Sequence, residues 1–346
     1  MTEKKKKNEI LYLSFNKDKT CLSLGMRTGY RIYDLTKKDS LSFYERICGK
    51  GIGIIEMLEK TNILGLVGGG DEPLEVTNKL IIYDDKEGEN IAELTFKDTI
   101  VGIRIKKDKI LVVLNNYIYL IETLNFKPFD IIELGFDKPN KQVIFSFTLE
   151  PDINYLGYCF NNNEKNKVII KSYDKDNKNH SLDLKANYKN NTIITCMEFD
   201  REGKLLAVSE KNNEYLLIYA VDNGIPICKC NINNKFVNSL YISFEEDNEF
   251  LGVSLDSGEI VIFNIKSVNY VNYYNQNEEE IKENVWSRFY LPEKKAICAF
   301  TGYEIGKEHI ICIGTKGNYY LAKFDSQQSD KLALKINEKY ILKPEN

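Results

Sequence analysis

One unit recurs along the chain and restricts its fold more than any other feature. It runs strand, polar turn with Asp or Asn, strand with small residues, turn often holding Gly, then strand ending in an aromatic. It reads EILYLSFNKDKTCLSLGMRTGYRIYDL at 9–35, IITCMEFDREGKLLAVSEKNNEYLLIY at 193–219 and NSLYISFEEDNEFLGVSLDSGEIVIF at 238–263. Less regular copies occupy 51–85, 100–121, 143–173 and 296–324. That makes about seven units at a period of roughly 45 residues, the spacing of WD-type propeller blades. The Gly-His and Trp-Asp dipeptides of that repeat are mostly missing, and the only Trp is Trp286. Periodicity alone therefore predicts an all-β chain folded as one seven-bladed β-propeller of WD40 type.

The propeller is expected over residues 9–326, with a basic flexible tail at 1–8, a protruding loop at 266–286 and a C-terminal extension at 327–346. A hydrophobic content of 43% with 22 Tyr and 17 Phe suits such a β-rich core and excludes wholesale disorder. The net charge of −4 offers no general attraction to nucleic acid, and the one basic cluster, Lys4–Lys7, reads as a solvated tail. Residues 1–30 lack the apolar region of a signal peptide, and no apolar stretch is long enough to span a bilayer, so a cytosolic monomer is expected. The eight Cys mostly sit in apolar runs, as buried reduced thiols do. Cys228 and Cys230 form a lone C-x-C without a second pair, which argues against zinc, and no cofactor is expected.

Gly68-Gly69-Gly70 invites comparison with a phosphate cradle, but its spacing matches neither a dinucleotide fingerprint nor a P-loop. The reading preferred here is a tight backbone bend between Asn62–Val67 and Lys79–Tyr83. His180 and His309 have no Ser or Cys nucleophile near them in the repeat, and Asp84-Asp85 falls at a blade turn where solvation is the default, so no enzyme is expected. The loop at 266–286 carries Tyr270, Val271, Tyr273 and Tyr274 ahead of an acidic run; these side chains suit a membrane interface, a partner groove or a fold back onto the blade.

FNKDKTCLSLGMRTGYRIYDL, GIIEMLEKTNILGLVGGGDEP with NKLIIYDD, FKDTIVGIRIKKDKILVVLNNYIYLIE, and VWSRFYLPEKKAICAFTG with IICIGTKGNYYLAKF together resemble the PROPPIN family. These are seven-bladed propellers that bind phosphoinositides in autophagy. The likeness covers nearly the whole chain and is strongest to the short subgroup that tethers an autophagic lipid-transfer protein. It implies a partner-binding role for Asn16 and Asp18 in the first-blade turn, although both residue types also simply shape turns.

The family's Phe-Arg-Arg-Gly motif, whose guanidinium forks match phosphate oxygens, corresponds here to Cys230, Asn231, Ile232 and Asn233. Both arginines are absent. Two family Lys-Gly-Thr turns are altered as well, leaving Glu214 and Glu259 at the threonine positions and Leu217 and Val261 at the following Arg and His positions. A carboxylate about 4 Å from a phosphate repels it by several kcal/mol at a surface-like dielectric. Asn231, Ile232, Asn233, Ser209, Lys211, Ser254 and Ser257 are the positions that a residual headgroup site would use, with Lys229 and Lys235 as further charges. The resemblance thus implies a non-catalytic autophagy adaptor that scaffolds a lipid-transfer partner at phosphatidylinositol 3-phosphate membranes, with its own lipid binding weakened or lost. The alternatives are a phosphatidylinositol 3-phosphate and 3,5-bisphosphate effector using contacts other than Arg, and a WD-repeat scaffold outside autophagy.

Overall fold

The computed structural model describes residues 9–36, 41–135, 143–162, 165–173, 181–183, 194–210, 215–232, 240–244, 249–265, 285–300, 309–327 and 334–340. These build seven four-stranded antiparallel sheets, each made of four strands consecutive in sequence. The first strand of each blade, such as Ile10–Phe15, Ile52–Met57 and Ile100–Ile105, packs against its counterparts in adjacent blades, so the first strands line the centre of a ring. Second strands such as Cys21–Met26 and Phe250–Leu255 are nearly continuous apolar runs, because blades cover both of their faces. Outer strands are mixed: Glu89–Thr95 is largely exposed and reads ENIAELT.

Seven apolar clusters hold the blades together, each at the junction of two neighbours. Between the fifth and sixth blades Leu216, Ile218 and Cys230 meet Leu251, Val253 and Phe263. At the seam between the first and last blades Leu22, Leu24 and Tyr33 meet Ala299, Ile311, Ile313 and Leu321. Among the described residues no strand of one of these blades enters the sheet of the other, and side-chain packing joins the two.

Two expectations need correction. Residues 327–346, assigned to an extension, include Leu334–Tyr340, the outer strand of the seventh blade. Its sequence, LKINEKY, mixes apolar and polar residues, and a repeat pattern of three runs does not count such a strand. The outer strands Ser42–Ile47 and Pro128–Glu133 escaped that pattern for the same reason. The second correction concerns Asp85, which is not a solvated turn residue. It accepts hydrogen bonds from Arg46 Nε (2.8 Å), Tyr30 Oη (2.5 Å) and Tyr44 Oη (3.3 Å), clipping the first blade to the second.

The glycine triplet is a backbone bend. Gly69 N donates to Gly51 O (3.1 Å), Leu74 N donates to the same oxygen (2.9 Å), and Gly51 N donates to Glu72 O (2.7 Å). The chain after the third glycine thus folds back across the start of Ile52–Met57. A Cβ on Gly68 would lie 1.9 Å from Glu75 O, and one on Gly69 would lie 2.4 Å from Gly53 Cα. The glycines are there because two backbones touch.

Candidate functional site: the first-blade turn and the face between blades five and six

The turn Asn16 to Thr20 joins the first two strands of the first blade. Lys19 N donates to Asn16 O (3.0 Å), Asn16 N donates to Cys21 O (3.1 Å), and Lys19 takes a positive φ of 58°. This is a type I turn followed by a left-handed residue, a common three-residue hairpin. Asn16 is 2% exposed; its Nδ2 donates to Thr20 Oγ1 (3.0 Å) and Glu59 O (3.3 Å), and its Oδ1 accepts from Cys21 N (2.8 Å). The Asn16 side chain is committed to shaping the turn and docking it on the second blade. Asp18 is exposed at the tip. Of the two residues singled out in the sequence, only Asp18 has a side chain turned to solvent.

Beneath the turn, the inner strands carry a polar layer. Glu56 accepts from Tyr12 Oη (3.0 Å) and Arg104 Nη1 (2.7 Å), and Glu198 accepts from Ser146 Oγ (3.2 Å). Burial pushes both carboxyls above the ordinary glutamate range, and the charges of Arg104 and Lys19 only partly offset it. The positive charge of Lys19 acts on Glu56, Glu198 and Cys298, which belong to the second, fifth and seventh blades. Burial also pushes the Cys298 thiol up to about 12, an inert state.

The second region is the junction of the fifth and sixth blades. Cys230 and Ile232, 0% and 2% exposed, face the apolar core between these blades; Asn231, between them, is only partly buried. Ile232 is thus corrected from a headgroup position to a core position: at the end of a strand, alternation turns one of the two former arginine positions inward. Cys228 and Cys230 share that inward face with their sulfurs 3.7 Å apart. Ser209 is fully buried and pairs with Thr195 Oγ1 (2.8 Å); Ser254 donates to Ala296 O (2.7 Å), tying the sixth blade to the seventh. Both serines are therefore occupied within the protein, which corrects their assignment to a headgroup site. Ser257 is exposed, and its Oγ accepts from Glu259 N (3.4 Å). The Lys229 ammonium sits 3.7 Å from the centre of the Tyr215 ring. Lys211, Asn233, Glu214, Lys235, His180, and Tyr270, Val271, Tyr273 and Tyr274 lie outside the described residues.

Sequence reading missed Arg288. It stands opposite Val261 on the outer strand of the sixth blade, and its Nη1 donates to Glu259 Oε1 (3.1 Å), which Tyr290 Oη also approaches (3.4 Å). Arg288 and Glu259 stand on paired strands 29 positions apart in the sequence, so spacing along the chain gave no sign of their contact. Glu259, at the former threonine position, is 8% exposed and holds this guanidinium internally.

The family model of the PROPPINs matches residues 10–305. The chain belongs to the PROPPIN family. Its relatives include Autophagy-related protein 18 of Candida glabrata, 28% identical over 75% of this PROPPIN and 46% of the relative. The protein of the same name from Yarrowia lipolytica is 25% identical over 75% and 67%, respectively. The PROPPIN thus spans about half to two-thirds of the length of these relatives. Among solved structures, Hsv2 of Kluyveromyces lactis with its complete loop 6CD superposes with a TM-score of 0.77 at 16% identity, over 97% of this chain and 100% of that one. A complex of KlAtg21 with the coiled coil of AgAtg16 gives a TM-score of 0.77 at 19% identity, over 96% and 99%. These likenesses show the seven-bladed fold. Proteins of this family are non-enzymatic adaptors and effectors of autophagy, and phosphoinositide binding is characteristic of them. Among the described residues no helix is long and apolar enough to cross a membrane.

Proposed function

We propose that this PROPPIN is a protein-binding adaptor of autophagosome formation, one that scaffolds a lipid-transfer partner at phosphatidylinositol 3-phosphate membranes while binding the lipid itself weakly or not at all. The observation that carries this reading is the state of the junction between blades five and six. One former arginine position is an apolar core residue, Ser209 and Ser254 are spent on internal hydrogen bonds, and the nearby Arg288 is paired to Glu259. A phosphate cluster without a free guanidinium lacks its strongest contacts. The first-blade turn, by contrast, is well formed and presents Asp18 outward. That a similar propeller, KlAtg21, has been solved with a coiled coil supports a protein-docking role for this scaffold. Such an adaptor works in the cytoplasm and reaches autophagosomal or endosomal membranes peripherally, with Tyr270, Val271, Tyr273 and Tyr274 as its contact residues there.

The test is flotation of the purified protein with liposomes containing phosphatidylinositol 3-phosphate, against matched liposomes lacking it, at two salt concentrations. Absence of specific flotation is the expected result. Salt-sensitive, lipid-specific flotation would transfer the protein to the effector class, with lysines replacing the arginines.

A further inference from the structure

The turns joining the first and second strands of successive blades share one face of the ring, and five of them are tied together by charge. Lys17 Nζ of the first blade reaches Glu150 Oε2 of the fourth (3.0 Å) and approaches Glu59 Oε1 of the second (3.9 Å). Arg201 Nε of the fifth blade donates to Glu150 Oε1 (2.6 Å). From the third blade, Lys106, 1% exposed, donates through Nζ to the backbone oxygens of Glu150 (3.1 Å) and Ile153 (2.9 Å). Lys17 and Glu150 are 15% and 21% exposed at their side chains, so the pair is partly shielded from water. Burial alone would raise the Glu150 carboxyl, but the hydrogen bonds from Arg201 and Lys17 outweigh it and hold the group below the ordinary glutamate range. The first and fourth blades are not ring neighbours. Their contact here spans the channel mouth.

We propose that Glu150 is a positioning residue for the first-blade turn: anchored by Arg201 and Lys106, it grips Lys17 across the channel mouth and so fixes the turn that projects Asp18. This rests on the reading that the turn meets the partner. Within the turn, Lys17 reaches across the ring to Glu150, Lys19 is half-buried and Asn16 is buried, so Asp18 is the one exposed member. The turn therefore takes a cationic group, a Lys or Arg of the partner. When Glu150 loses its charge, Lys17 is released next to Asp18, where it both loosens the turn and competes with that cation.

The experiment compares wild type, Glu150→Gln, Lys17→Met and Asp18→Ala by amide hydrogen exchange, and by affinity for the full-length autophagic lipid-transfer protein of the same organism. Glu150→Gln is expected to speed exchange at Lys19 and Cys21, whose amides bond to Asn16, and to weaken capture about fivefold. Lys17→Met breaks the same grip while leaving the fourth blade intact, and the same local exchange change is expected. Asp18→Ala is expected to abolish capture with turn exchange unaltered. Unchanged exchange at Lys19 and Cys21 in both clamp variants would overturn the positioning role, as would acceleration spread evenly through the fourth blade. Undiminished capture by Asp18→Ala would instead sink the partner reading, while exchange would still report on the clamp.

Discussion

Replacing Gly69 by Ala separates a backbone contact from a ligand cradle. An added Cβ would sit 2.4 Å from Gly53 Cα and 2.8 Å from Gly53 N. Carbon atoms in contact prefer about 3.5–4.0 Å, so the overlap exceeds about 1 Å. Both atoms are backbone, and no rotamer change relieves the clash; the returning loop has to lift from the second blade, at a cost of about 3 kcal/mol. Gly70→Ala is the internal control. Its φ is +76°, yet its nearest neighbour is the Leu11 methyl at 3.1 Å, so the cost is about 1 kcal/mol from the left-handed backbone alone. With an m-value of about 3 kcal/mol/M, urea midpoints should fall by roughly 1 M for Gly69→Ala and 0.3 M for Gly70→Ala. Equal shifts for the two variants would refute the packing argument and reopen the triplet as a binding loop.

Three further outcomes are expected. Asp85→Ala leaves Arg46, Tyr30 and Tyr44 without their shared acceptor and should cost about 2 kcal/mol, read as a lower melting temperature; an unchanged melt would show that the clip contributes nothing. Glu198 has a carboxyl raised from 4.5, chiefly by burial, so its stabilising contribution is fully present below that value and lost as pH rises through the folded one. The melting temperature of Glu198→Gln should therefore gain on wild type as pH increases above 4.5, and a constant gap would contradict the buried-charge account. Finally, Glu259→Thr with Glu214→Thr should produce at most a small gain in flotation on phosphatidylinositol 3-phosphate liposomes, because Ile232 remains in the core; strong binding would mean that carboxylate repulsion alone had silenced the site.

The fold was legible because blades bury their second strands on both sides, which leaves near-continuous apolar runs such as Leu22–Gly25 and Leu251–Val253 in the sequence. Outer strands such as Glu89–Thr95 lie where solvent selects the residues, and their pattern merges with that of loops. The site was legible only in outline. Missing arginines can be counted in a sequence, but the burial of Asn16 and the pairing of Arg288 with Glu259 depend on register and on neighbouring blades. The contact of Lys17 with Glu150 joins residues from blades that share no apolar interface, and periodicity carries no record of such a bond.

The seam between the first and seventh blades, joined like the other junctions by apolar side chains, gives the ring a particular response to its surroundings. A joint closed by a shared strand has a register and breaks one hydrogen bond at a time, whereas among the described residues the joint of Leu24, Tyr33, Ile311 and Leu321 is held by the water-excluding tendency of its surfaces. That tendency weakens on cooling and under pressure. The ring is therefore a split washer whose gap is sealed by oil rather than by a weld, and cold is the condition that works on the seal. The Asn16 turn belongs to a blade that forms one lip of the gap, so the surface proposed to meet a partner lies beside a joint that responds to temperature.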